Sequence, residues 1–369
     1  MPWIPVYTIT APIARSLMEI EAAKVMVEKT PLPLAVVNAI RHRARIRSTH
    51  YSTQIEGNRL TLKEARDIVE KKKARFHGRE RDVNEVRHYW DALLKAEDQA
   101  SRQAEFTEDL VMRLHGIIEK GSRARPTPYR DGQNVIRDSR SGRIVYLPPE
   151  AHDVPLLMGE MVRWVHGARR EKIPVPLVAA LVHYQFVTFH PYYDGNGRTA
   201  RLLSTFILQR DGYGLNCFFS LEEYHAHDLN RYYTVLASHT HHNYYEGRAH
   251  ADITPWIDYF TSLLAKVYRD VKDEALEHAA ESVAKEPEEI RRLDHRARRV
   301  LSLFAGKERV TTMDMADVLG LSSRMVRVLV QRWVKEGWLV MASTANRSRA
   351  YTLSAIYRQF IGTTRNSQE

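Results

Sequence analysis

The chain has 369 residues, 44% of them hydrophobic and 27% charged, with a formal net charge of +10 at pH 7. That is the composition of a globular protein long enough for two or three domains. One cysteine, Cys217, excludes an intrachain disulfide, and no apolar run approaches the roughly 20 residues needed to cross a bilayer.

The first residues, MPWIPVYTIT, lack a basic segment followed by an apolar run, so no signal peptide is expected and the cytoplasm is the expected compartment, with no membrane partner. The excess of Lys and Arg fits solubility, or attraction to a polyanion such as a nucleotide or a nucleic acid.

Apolar residues at helical spacing predict a helix from Pro12 to Lys29, ended by Pro31 and Pro33, and an arginine-rich helix from Leu34 to Thr53. Gly57-Asn58 reads as its stop signal, and Thr61 with Glu64 as a capping box opening a helix to about Lys72. Further amphipathic helices are expected over 82–100 and 107–120. Between Pro126 and Pro149 the pattern changes. Asp131-Gly132 and Ser141-Gly142 mark turns, while Val135-Ile136 and Ile144-Val145-Tyr146 read as a β-hairpin. Helices return over 151–166 and 176–189, the second running into His190.

The stretch His190 to Arg201 reads HPYYDGNGRTAR. Gly195 and Gly197 flank Asn196 and let the backbone approach a ligand with no Cβ in the way. An apolar period begins after Gly197, so a glycine loop enters a helix N-terminus, which is an anion site by its free N–H groups and dipole. Arg198 and Arg201 are three apart and share a face; two guanidinium forks there suit a polyphosphate. Asp194 is a candidate ligand for a divalent cation, and His190 a candidate general base near neutral pH.

Helices are next expected over 221–238 and 254–278. The charged segment 279–294, with Pro287, reads as a linker or a polar helix. Three short helices (296–305, 311–319, 322–336) and two strand-like pieces, 337–340 and 350–353, give the pattern of a winged helix. Its last helix carries Arg324, Arg327, Arg332 and Lys335, and the following loop Arg347 and Arg349, so DNA is a candidate partner. The histidines at 225, 227, 239, 241, 242 and 250 match no closed metal site in spacing and read as a polar loop, while His183 reads as packed.

HPYYDGNGRTAR resembles the Fic-family signature HPFx(D/E)GNGRxxR, with Tyr192 where phenylalanine is usual. The resemblance covers about three-quarters of the chain. It implies a mainly α fold: an N-terminal helical region with an inhibitory motif (1–110), a Fic core with a β-hairpin flap (111–278), a linker (279–295) and the winged helix (296–369).

It implies transfer of AMP from ATP to a Tyr, Ser or Thr hydroxyl of a protein, itself included, with release of pyrophosphate. His190 would deprotonate the hydroxyl, Asp194 would bind Mg²⁺, Gly195, Asn196 and Gly197 would cradle the α-phosphate, and Arg198 and Arg201 would hold the β- and γ-phosphates. Val135 and Ile136 fall in the flap that positions a target segment, and Tyr232 and Tyr233 where adenosine contacts are expected. Ser52-x-x-x-Glu56-Gly57 resembles the family's inhibitory motif (S/T)xxxE(G/N), whose glutamate would occupy Arg201. Many members are homodimers. From another class, the second reading is a DNA-binding regulator whose core senses nucleotide with little transfer.

Overall fold

The structure, a computed structural model, describes residues 4–70, 78–137, 142–237, 242–285, 287–305, 307–343 and 349–362. It divides into two compact units: Met1–Val27 with Ile40–Lys272, and Glu28–Ala39 with Asp273–Glu369. The fold is mainly α, with small antiparallel sheets only among the described residues.

Five helices open the chain: α1 (Ala11–Lys29), α2 (Leu34–Ile55), α3 (Leu62–Val69), α4 (Glu80–Ser101) and α5 (Glu108–Lys120). Turn chemistry sets their ends. Thr61 Oγ1 accepts from the Glu64 amide at 3.2 Å and Glu64 Oε2 accepts from the Thr61 amide at 2.7 Å, a reciprocal cap on α3. Gly57, at φ +93°, turns the chain off the end of α2, a conformation that favours glycine.

A two-stranded antiparallel hairpin follows, β1 (Ile136–Arg137) and β2 (Ile144–Tyr146), with Ile136 opposite Tyr146 and a bulge beside it. Then come α6 (Val154–Arg170), α7 (Val175–Phe189) and α8 (Asn196–Arg210). α7 (VPLVAALVHYQFVTF) is apolar nearly all round and accordingly buried nearly all round. α8 packs on α7, α4 and α5, so the helix that starts in the glycine loop is the central one. Its inward residues Leu202, Leu203, Phe206 and Ile207 are fully buried.

The segment expected to be one helix over 221–238 is two, α9 (Leu221–His227) and α10 (Leu229–Leu236). Asp228 leaves helical geometry at φ −134°, and its carboxylate accepts from the Arg231 amide at 3.2 Å. A side chain that caps the second helix ends the first. Next, α11 (Thr254–Lys285) runs past His278 into the first part of the polar segment. Among the described residues no helix is long and apolar enough to cross a membrane.

The second unit continues with α12 (Glu288–Arg291), α13 (His295–Leu301), β3 (Val310–Thr311), α14 (Thr312–Leu319), α15 (Ser323–Lys335), β4 (Leu339–Ser343), β5 (Ala350–Leu353) and α16 (Ala355–Gly362). Its sheet is antiparallel in the order β3-β5-β4. Ala297, Val300, Val326, Val330, Trp333, Trp338 and Tyr351 form its apolar core.

Candidate active site

His190 ends α7 in the left-handed region, at φ 49° and ψ 56°. That turn carries the chain into the loop and is strained for a residue with a Cβ. Its Nδ1 lies 3.2 Å from the Val187 carbonyl. A carbonyl only accepts, so Nδ1 bears the proton and Nε2 keeps its lone pair. Burial drives the imidazole pKa down to about 4, against a smaller opposing pull from the Val187 carbonyl. The ring is therefore neutral and able to accept a proton at neutral pH.

Asn196 closes the loop on itself. Its Nδ2 donates to the Tyr192 carbonyl at 2.7 Å and its Oδ1 accepts the Tyr192 amide at 3.0 Å. Both polar ends of the side chain are thus committed to the loop's own backbone. Tyr192 is buried, its ring stacked 3.5 Å from that of His115. His115 Nε2 in turn bonds the Asp194 carbonyl at 2.9 Å.

Gly195, at φ +73°, starts α8 with no capping side chain. The first helix bond runs from the Thr199 amide to the Gly195 carbonyl. The amides of Asn196, Gly197 and Arg198 consequently open the helix uncapped, an anion-binding end. A Cβ at Gly195 would run into Glu119, and one at Gly197 into the Glu56 carboxylate. Close approach requires glycine at both positions, and backbone shape requires it at Gly195 as well.

The two arginines are buried and oppositely engaged. Arg198 Nη2 reaches Glu119 Oε1 at 3.1 Å and Asp194 Oδ1 at 3.3 Å. Its buried Nε has no partner among the described residues, an unsatisfied donor beside the helix end. Burial raises the Glu119 carboxyl above its ordinary pKa, with Arg198 pulling the other way. Arg201, 1% exposed, donates from Nε to Ser52 Oγ at 3.0 Å, and from Nη2 to the Ser52 carbonyl and Glu56 Oε1, both at 2.8 Å. Burial is the largest single influence and works against its charge, but the Glu56 carboxylate, with Tyr232 and Tyr89 beside it, raises the guanidinium above its ordinary pKa.

Asp194 projects outward, its side chain 61% exposed, and its Oδ1 also accepts the Gly195 amide at 2.6 Å. Among the described residues no group of three or more His, Cys, Asp or Glu could hold a metal ion. One exposed carboxylate beside a helix N-terminus would suit Mg²⁺ where phosphates supply its other ligands.

Arg130 was not singled out by the sequence, and it fastens the loop to the hairpin. Buried to 3%, it donates from Nε to the His190 carbonyl at 2.9 Å, from Nη1 to the Gly132 carbonyl at 2.9 Å, and from Nη2 to the Pro149 carbonyl. Both feet of the hairpin that carries Val135 and Ile136 are tied by one side chain to the turn bearing His190. An arginine beside an Asp-Gly turn looks like a solvated residue, so no local signal marks it. His115 and Glu119 carry no local signal either: their roles come from burial against distant elements.

Tyr232 is 1% exposed, bonded through its hydroxyl to His183 Nε2 at 2.9 Å and packed against His225 and Trp256. Tyr233 is 46% exposed, with its hydroxyl 3.3 Å from the Ile55 carbonyl, next to Glu56. In the histidine group, His225 is buried against Tyr259 and His242 bonds the Val145 carbonyl, while His239 and His241 lie outside the described residues.

Residues 105–208 match the Fic/DOC family. The chain is 30% identical over 187 residues to the Protein adenylyltransferase Fic of Drosophila erecta, covering 48% of this chain and 35% of that protein. To the same-named protein of Drosophila melanogaster it is 31% identical over 172 residues, 44% of this chain and 32% of that one. The chain thus spans about a third of the length of these relatives. Its fold is like that of a Fic family protein from Desulfovibrio desulfuricans, at TM-score 0.59 and 24% identity over 96% of this chain and 99% of that one. It is also like Fic-1 of C. elegans, at TM-score 0.57 and 21% identity over 73% of each.

Proposed function

Because this chain is a Fic-family protein with its Fic/DOC domain at residues 105–208, we propose that it is a protein adenylyltransferase held back by its own Glu56. The observation that carries the reading is the N-terminus of α8: uncapped amides, two buried arginines and a neutral imidazole at one turn. The drosophilid relatives bear the name of that activity.

The α-phosphate of ATP sits on the open amides of Asn196 and Gly197, beside Gly195, with the β- and γ-phosphates on Arg198 and Arg201. A hydroxyl of a protein, this chain included, comes to His190. Nε2 takes its proton as the oxygen bonds the α-phosphorus and the bond to the bridging oxygen breaks, releasing pyrophosphate. Asp194 would hold Mg²⁺, which when bound neutralises phosphate charge. Little covalent help is needed for such a transfer, and positioning with charge neutralisation does most of the work. The hairpin edge at Val135 and Ile136 aligns the target segment by strand addition.

Glu56 restrains this chemistry by competition. Its carboxylate lies on Arg201 and over Gly197, where the γ-phosphate and its oxygens would go. Ser52 fixes the same guanidinium from behind. A triphosphate can use that fork only if Glu56 leaves it.

The test is incubation with α-labelled ATP and Mg²⁺. His190→Ala should lower label incorporation by at least about a hundredfold, the usual contribution of a positioned base, while nucleotide affinity by equilibrium dialysis stays near that of the parent. Undiminished labelling would remove His190 from the mechanism.

A further inference from the structure

The transferase reading leaves α15 unused. Helices α14 and α15 are joined by a short turn: Gly320 closes α14 at φ +64°, Leu321 follows, and the Ser322 hydroxyl caps α15 by accepting the Met325 amide at 3.4 Å. The inner face of α15, Val326, Val330 and Trp333, is buried in the core. Its outer face presents Arg324, Arg327, Val328, Gln331 and Lys335, one stripe at helical spacing.

Three features of that stripe do not suit an idle solvated face. α15 holds three arginines, one lysine and no acid in 13 residues. A solvated cationic helix is normally laced with acidic partners a turn away; here only Arg332 has one, Glu336 at 2.7 Å. Neither Arg324 nor Arg327 has a carboxylate partner among the described residues. Among these charges Val328 is 65% and Met325 51% exposed. Behind the helix, β4 and β5 form an antiparallel pair, and the exposed Arg349 immediately precedes β5.

We propose that the unit containing residues 273–369 is a winged helix whose α15 enters the major groove of duplex DNA. At about 1.5 Å per residue a helix of this length spans roughly 20 Å, and the groove, about 12 Å wide, admits it. Arg324 and Arg327, near its N-terminus, meet guanine edges or phosphates, and Val328 and Met325 meet thymine methyl groups. The charge is complementary, and the apolar members have a chemical use in that groove. This inference stands apart from the transferase reading and fails or survives independently of it.

The test uses the full chain and a fluorescent mixed-sequence duplex of about two helical turns. Anisotropy should report binding that weakens steeply between roughly 50 and 200 mM salt. R324A/R327A should weaken it at low salt and reduce the log–log salt slope by about one for each arginine that meets a phosphate. R169A/K172A removes the same charge from the other unit and should leave both quantities near the parent's. Selection from a randomised duplex pool should enrich one sequence, with the preference at one position relaxed in Val328→Ala. No binding by the parent at low salt, or equal losses in the two double variants, would overturn the proposal, and a pool that stays random would overturn base reading by this helix.

Discussion

Arg198 and Arg201 stand three residues apart on one helix, equally buried, and differ in who holds them. Arg198 is held by Glu119 on α5 and by Asp194 in the loop itself. Arg201 is held by Ser52 and Glu56, from the end of α2. The first set of partners arrives with the site; the second reaches it from a segment that can be changed without touching the loop. Two like charges, similar in sequence context, thus have different partners; in the proposed function one orients and the other is the point of restraint.

Acid should distinguish the two sides most strongly. His115, beneath Tyr192 on the Arg198 side, has its pKa lowered from 6.5 to about 4 by burial, against the Asp194 carbonyl. The unfolded chain therefore binds this proton more readily than the folded one. Its contribution is intact above pH 6.5 and is lost as pH falls toward about 4, at about 1.4 kcal/mol per pH unit. Denaturant unfolding at a series of pH values should show the loss, with a shallower slope in His115→Gln; an unchanged slope would break the assignment.

Glu56→Gly should act on the other side. With Arg201 free for the γ-phosphate, ATP should gain about tenfold or more in affinity relative to AMP, the scale of one charged hydrogen bond. Calorimetry with both nucleotides reads the ratio, and a ratio equal to the parent's would count against competition for Arg201. Glu119→Gln should do the reverse. It leaves Arg198 with Asp194 but without its half-buried Glu119 carboxylate, so labelling should fall by about tenfold with no gain in ATP affinity. A gain would erase the distinction between the two arginines.

The smallest effect belongs to Tyr192. Its hydroxyl is buried with no partner among the described residues, so Tyr192→Phe should be neutral or stabilise by up to about 1 kcal/mol, read as an unchanged or raised Tm. A lowered Tm would mean that the hydroxyl is satisfied.

What was legible in the sequence was local. The loop and both arginines lie within twelve residues, and Ser52 and Glu56 are placed by one turn of helix, so spacing alone puts them on one face. Side-chain fates were not legible. Tyr232 and Tyr233 are adjacent and alike, yet one is enclosed by His183 and Trp256 and the other is half exposed. Asn196 looks like a ligand contact and spends both polar atoms on the Tyr192 backbone. Arg130 became visible only when the hairpin's two feet were seen to meet at His190. The helix break at Asp228 was hidden because an aspartate inside an apolar period also reads as a polar face position.

Intact-mass spectrometry of the Glu56→Gly variant after incubation with ATP and Mg²⁺, beside the parent and the E56G/H190A double variant, tests the central claim most directly. The account predicts an added adenylyl mass in Glu56→Gly, much less in the parent and none in the double variant. Equal modification of Glu56→Gly and the parent, or modification that survives the loss of His190, would contradict it.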